Sequence, residues 1–184
     1  MNLDTFRLVD AEAELRGTSD RAAAIVGASL IDVQLEQLLI RSMVKGIRAG
    51  SLFEGFGPLS SFRAKIRIAG CFGLLPPDVC ADADLIRKIR NEFAHAYVPM
   101  SFEDQKITDW VLALRALAAT RKQFSEYKQN PEKWAEIEAK GWHRARFLYF
   151  VAISSTQGTI AALTNSCPQR EPVAPAYAEL KREL

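Results

Sequence analysis

Apolar residues recur along this chain at helical spacing and almost nowhere at strand spacing. Ala24, Ala28, Ile31, Leu35 and Leu38 follow one another by three or four, which marks a single buried seam on one long helix. Thr18 or Ser19 is placed to cap that helix, with Asp20 in its first turn where the helix dipole favours a negative charge. The pattern runs to about Lys45, with Gly46 and Gly50 ending it, for a length of roughly 40 Å at a rise of about 1.5 Å per residue. Its first half carries Ala22, Ala23, Ala24, Gly27, Ala28 and Ser29, small residues that let a second helix come close. This is the expected central element of a bundle.

The remaining segments read the same way. Leu3 to Arg16 is expected to be a short amphipathic helix stopped at Gly17. After a Gly55, Gly57, Pro58 turn, with Pro58 near N1, a third helix buries Leu59, Phe62, Ile66 and Ala69, and Gly73 ends it. Pro76 and Pro77 open a fourth, running to about Ala96. Its acids come first (Asp78, Asp82, Asp84) and its bases last (Arg87, Lys88, Arg90), as the dipole favours. Ser101 and Asp104 resemble a capping box for a fifth helix with Ile107, Trp110, Val111, Leu114 and Leu117 inside. Asn130-Pro131 starts a sixth, carrying Trp134, Ile137, Trp142, Ala145 and Leu148 and continuing through Ser155. The β-branched and aromatic run from Phe147 has no second strand to pair with, so helix is preferred. The expected fold is all-α: one bundle of about six helices over residues 1–165, and a proline-containing tail over 166–184 with a last helical turn near Ala178 to Lys181.

Composition narrows the function classes. The chain has 184 residues, 48% of them hydrophobic, which is enough for one sizeable core and unlike a disordered chain. A formal net charge of +2 lacks the basic excess of a dedicated nucleic-acid binder, so direct DNA binding is not expected. Cys71, Cys80 and Cys167 form no CxxC pair, and with only His95 and His143 no metal site and no cofactor is expected. The odd cysteine count suits a reducing compartment. Met1 to Asp10 lacks the apolar stretch of a signal peptide, and the terminal Lys-Arg-Glu-Leu is read as chance. The run from Phe147 to Ile153 is far shorter than the ~20 residues a bilayer needs, so a cytoplasmic location is expected.

Chemistry concentrates in Arg90-Asn91-Glu92-Phe93-Ala94-His95. On a helix Ile86, Ile89 and Phe93 face the core, Asn91 and His95 share the opposite face, and Arg90 sits on the border. A histidine able to act as general base and an arginine able to stabilise a pentacoordinate phosphate suit metal-free RNA cleavage by an adjacent 2′-hydroxyl. The same residues near a helix end also serve the dipole and the last carbonyls without any catalysis. A second candidate is a basic face of Arg63, Lys65, Arg67, Arg87 and Lys88, brought together if the third and fourth helices are antiparallel neighbours. Trp134, Trp142, Phe147, Tyr149 and Phe150 read first as core, and otherwise as a dimer seam or partner surface.

Three stretches carry a family resemblance: Ser-Asp-Arg-Ala-Ala-Ala-Ile-Val from 19, Leu-Phe-Glu-Gly-Phe-Gly-Pro-Leu-Ser-Ser-Phe-Arg-Ala-Lys from 52, and Asp-Leu-Ile-Arg-Lys-Ile-Arg-Asn-Glu-Phe-Ala-His from 84. Together with Ser-Phe-Glu-Asp-Gln-Lys-Ile from 101, they resemble the mannitol-operon repressor (MtlR-like) family over residues 18–120. The resemblance implies an all-α regulator of transcription with no DNA-binding motif of its own, working through a protein partner such as a DNA-binding transcription factor. Arg90-Asn91-x3-His95 also resembles the motif of the HEPN superfamily, in which the motif residues of two protomers face each other across a dimer cleft. That second resemblance implies a homodimeric, toxin-like ribonuclease acting on RNA, with Arg90 and His95 in the catalytic roles and Asn91 orienting.

Overall fold

Ser19 is extended, and its side chain accepts the amide of Ala22 at 3.2 Å, so the chain turns helical immediately after it. This cap opens the longest run in a computed structural model that describes residues 15–46, 49–119 and 130–172. The helices in chain order are α1 (Asp20–Ser42), α2 (Gly50–Phe53), α3 (Phe62–Cys71), α4 (Pro77–His95), α5 (Gln105–Leu112), α6 (Ala116–Ala119), α7 (Pro131–Ala139) and α8 (Arg144–Ser166). Apart from one isolated parallel bridge between Val44 and Arg170, the regular structure among the described residues is helical. The all-α expectation holds.

The central role of α1 follows from its sequence. It is largely apolar on its outer face as well, where Ile25, Val33 and Ile40 stand exposed. It packs against α3, α4 and α8, and Ala24, Ala28, Ile31, Leu35 and Leu38 are all buried as the periodicity predicts. The small residues of its first half admit α8. A Cβ added at Gly27 would lie 2.9 Å from Tyr149 Cε1 and 3.2 Å from Ile153 Cγ1, so no larger residue fits without separating the two helices. Both α1 and α8 have the length and apolarity to cross a bilayer, a test that buried core helices also pass.

Several boundaries differ from expectation. Pro58 lies outside α3, which starts at Phe62 with Ser61 as its cap, because the 54–59 turn closes first. In that turn Gly57 approaches the carbonyl oxygen of Leu52 so closely that a Cβ there would come within 2.4 Å of it. Gly50, expected to help end the long helix, opens the short α2. The expected fifth helix is interrupted after Leu112, where the buried carboxylate of Asp82 accepts the amides of Arg115 (2.8 Å) and Ala116 (2.7 Å) and starts α6. The expected sixth helix divides at Gly141, whose φ of +83° ends α7 and frees α8 to set off in its own direction. The Ser101/Asp104 box forms only its reciprocal half: the Asp104 carboxylate accepts the Ser101 amide at 2.9 Å, while Ser101 Oγ accepts from Glu103. The Leu3 to Arg16 helix falls largely outside the described residues, of which 15–17 are helical, and the Ala178 to Lys181 turn falls wholly outside them.

Three buried charges fix the bundle, among them Lys65, expected on the basic face, and Asp82, expected only as an early acid of its helix. Arg146 on α8 donates to the carbonyls of Leu15 and Thr18 and to Asp20 Oδ1 at 3.2 Å. Asp20 in turn accepts the amide of Phe102 at 3.0 Å, so one carboxylate joins α1, α8 and the segment before α5. Burial lowers the pKa of Arg146, and the facing Asp20 charge opposes that shift. Lys65, 4% exposed on α3, meets Glu36 at 2.7 Å and Asp32 at 3.1 Å on α1. Asp82 is the third.

Candidate functional site

The Arg90–His95 segment forms the last two turns of α4. Ile86, Ile89 and Phe93 are fully buried, and Phe93 stacks obliquely on Phe102 with ring centroids 4.9 Å apart. Phe102 continues to Tyr149 at 5.0 Å, so the apolar side of the motif is bolted into the core. The polar side is open: His95 is exposed, and Asn91 is half-buried. The α4 C-terminus gets its cap from elsewhere. Arg21 on α1 donates to the Ala96 carbonyl at 2.6 Å, which leaves the His95 imidazole out of that role.

Arg90 is half-buried on the border between these faces. Burial pushes the Tyr149 phenol well above its ordinary pKa, against the nearby positive charge of Arg90. Arg90 therefore lies close enough to α8 for its charge to be felt there, while the Tyr149 hydroxyl donates to the Ala24 carbonyl at 3.1 Å. Among the described residues, no side-chain hydrogen bond or ion pair engages Arg90, Asn91 or His95, and none joins them to one another. Five residues of helix separate Arg90 from His95 by about 140° around the axis, so within one chain the two point different ways. Just beyond, Tyr97 and Val98 stand exposed in the loop.

α3 and α4 are neighbours, as the short 72–76 connection suggests, but the basic residues do not gather on one free face. Arg63 and Arg67 are exposed on α3 and, with Asp84 of α4, line an open groove of about 520 Å³. Arg87 and Lys88 both turn onto Asp84, at 2.8 and 3.2 Å. Burial pushes the Asp84 carboxyl up, but hydrogen bonds and charges from Arg87 and Lys88 outweigh it and hold the pKa below the usual value. Those pairs thus contribute above the ordinary carboxylate pKa, and their contribution fades as pH falls through the depressed one. Among the described residues, Arg63 and Arg67 remain without an ion pair. Arg87 does not, because its side chain is only 17% exposed and committed to Asp84.

The aromatic last helices offer little surface. Trp134, Trp142 and Tyr149 are buried, and Phe147 and Phe150 pack edge-on or obliquely against the tryptophans. Their role is core. Aromatic exposure lies instead at Phe56, on the tip of the Gly55–Gly57 turn, at Phe72 after α3, and at Tyr97. Cys71, Cys80 and Cys167 are free thiols, and burial, with lesser contributions from Asp78 and Cys71, raises the Cys80 pKa. Among the described residues, no group of three or more His, Cys, Asp or Glu is placed to hold a metal ion.

No protein-family model matches the chain, and no curated protein matches its sequence. Its fold is similar to that of a chain in the X-ray structure of the MtlR–HPr complex from Escherichia coli, with a TM-score of 0.60 over 84% of this chain and 95% of that one. Identity across the match is 19%, so the likeness is one of architecture. The chain has an MtlR-like helical fold.

Proposed function

We propose that this protein is a cytoplasmic regulator that works by binding a partner protein, in the manner of the MtlR-like family, with transcription as the regulated process. The supporting observation is the fold likeness, which spans nearly the whole of a chain whose solved structure is a complex with the protein HPr. The reading calls for no cofactor and no DNA-binding element. Its partner face is the Arg63/Arg67 side of α3, where two exposed guanidinium groups on successive turns offer forked donors to an acidic or carbonyl-rich surface.

Titration calorimetry of purified Escherichia coli HPr into the full chain tests this. The expected result is saturable one-to-one binding, weakened about tenfold or more, equivalent to ~1.4 kcal/mol, by Arg63→Glu with Arg67→Glu. Absence of binding across a wide concentration range would remove HPr-like proteins as the partner class. Binding untouched by the double variant would move the interface off α3.

A second reading is favoured by one observation: among the described residues no side-chain hydrogen bond or ion pair engages Arg90, Asn91 or His95, and His95 is open to solvent. Under this reading the protein is a homodimeric, metal-independent ribonuclease in which His95 takes the 2′-hydroxyl proton and Arg90 steadies the phosphate charge. The 140° divergence within one chain then requires the second protomer to complete the site. Cleavage of several RNAs in EDTA is expected to disappear in His95→Ala. Equal residual cleavage by both proteins would identify a contaminant.

A further inference from the structure

α1 and α8 lie side by side and run parallel, for Asp20 meets Arg146, Ala24 meets Tyr149 and Val44 meets Arg170. Together they form one flank of the bundle, and that flank lacks charge. Charged residues make up 25% of the chain, so a solvated helix face would carry about one per turn. None occurs from Phe147 to Ser166, although most of α8 lies outside the core. Ser154, Gln157 and Ala161, half-buried, recur by three and four on the edge of α8 that adjoins α1. On α1 the outward stripe is Ile25, Val33 and Ile40, all exposed. The acids nearest that stripe, Asp32 and Glu36, turn to α3 and pair with Lys65. Depletion of charge on a part-exposed face is the compositional mark of an interface core.

We propose that this flank is a dimer interface, on which a second copy of the chain lies with its α1 antiparallel to the first. A two-fold axis needs a surface complementary to itself. The stripe on α1 has that property. Ile25 and Ile40 stand almost equally far before and after Val33, so with the axis at Val33 the Ile25 of one copy meets the Ile40 of the other. The extent suffices as well. Two helices about 34 Å long, with axes about 9 Å apart, present a face of roughly 600 Å². A symmetric pair of such faces buries about 1,200 Å², the lower bound for a stable interface. Other occupants fit less well. Between Arg21 and Arg41, and from Phe147 to Ser166, there is no cation to hold a phosphate backbone. Small residues such as Ser154 and Ala161 give a lipid surface little apolar area to take up. In the antiparallel arrangement the two α1 starts, where Arg21 holds Ala96, lie at opposite ends. This dimer therefore keeps the two Arg90–His95 segments apart and depends on neither functional reading above.

Sedimentation equilibrium of the full chain, from about 1 to 100 μM, tests this. The expected result is a species of twice 20.5 kDa. Val33→Asp sets a carboxylate against its own image on the axis, and Ala161→Glu places one on the α8 edge. Each is expected to weaken association about a hundredfold or more while leaving the far-UV circular dichroism unchanged. Leu112→Asp, at the exposed end of α5, is expected to leave the dimer intact. A monomer at every concentration overturns the proposal. So does a dimer that withstands both charged variants on the flank, or one that Leu112→Asp dissociates. Flotation of a monomeric chain with phosphatidylcholine vesicles would give the flank to lipid and overturn it too.

Discussion

Arg146→Ala is expected to lower the folding free energy by about 3–5 kcal/mol, the range for breaking a buried, hydrogen-bonded charge pair by removing one member. The side chain is 8% exposed and its partner Asp20 18%, so water does not readily replace what is lost. Truncation strands the carbonyls of Leu15 and Thr18 and leaves the Asp20 carboxylate with a backbone amide as its remaining partner from outside α1. Arg146→Lys should recover only part of the loss. A single ammonium restores the charge but cannot fork between two carbonyls and a carboxylate. Urea unfolding followed by far-UV circular dichroism measures both variants. A loss below about 1 kcal/mol for alanine would mean that the network contributes no more than one ordinary hydrogen bond.

Phe93→Ala is expected to cost a similar ~3–5 kcal/mol, while His95→Ala two positions later changes stability by less than ~0.5 kcal/mol. Phe93 is fully buried and stacks on Phe102, which in turn meets Tyr149, so truncation opens a cavity where three elements converge. His95 is exposed and engages no described side chain. The pair of measurements separates the two halves of the Arg90–His95 segment: one half holds α4 in place, and the other is free for chemistry. Comparable losses for both variants would show that the imidazole has a structural role.

The apolar periodicity was sufficient for the elements because burial is what periodicity encodes. The α1 seam, the core faces of α3 and α4, and the interior positions 107 and 111 of α5 are all where spacing puts them. The joints were less legible. The split between α5 and α6 is made by Asp82, a residue of α4 more than thirty positions away, and no local signal announces a cap supplied from another helix. Arg146 is not singled out by the sequence, and Lys65 reads as part of a basic surface face, for a different reason. Each occupies a core-facing position by spacing, Lys65 beside Ile66 and Arg146 three before Tyr149, yet their charge argues for the surface until a partner is seen. The bridge between Val44, just past α1, and Arg170, beyond α8, is a tertiary contact that the sequence does not foreshadow. At the candidate sites, spacing puts Arg63 and Arg67 on one exposed face and gives the Asp84–Lys88 pair at i,i+4, but it does not reveal that Arg87 turns onto the same carboxylate.

The Asp20 junction has a consequence for how this molecule opens. Because one carboxylate holds the start of α1, the Phe102 amide and Arg146, parting α1 from α8 strands a buried charge, and freeing Phe102 costs the same carboxylate a hydrogen bond. The three regions form a single cooperative unit, in which local fraying is replaced by an all-or-none release. The loop that follows His95 is thereby anchored at its far end to the most protected part of the bundle. Whatever docks near His95 meets a surface whose geometry is preset, and its association draws little on ordering the protein.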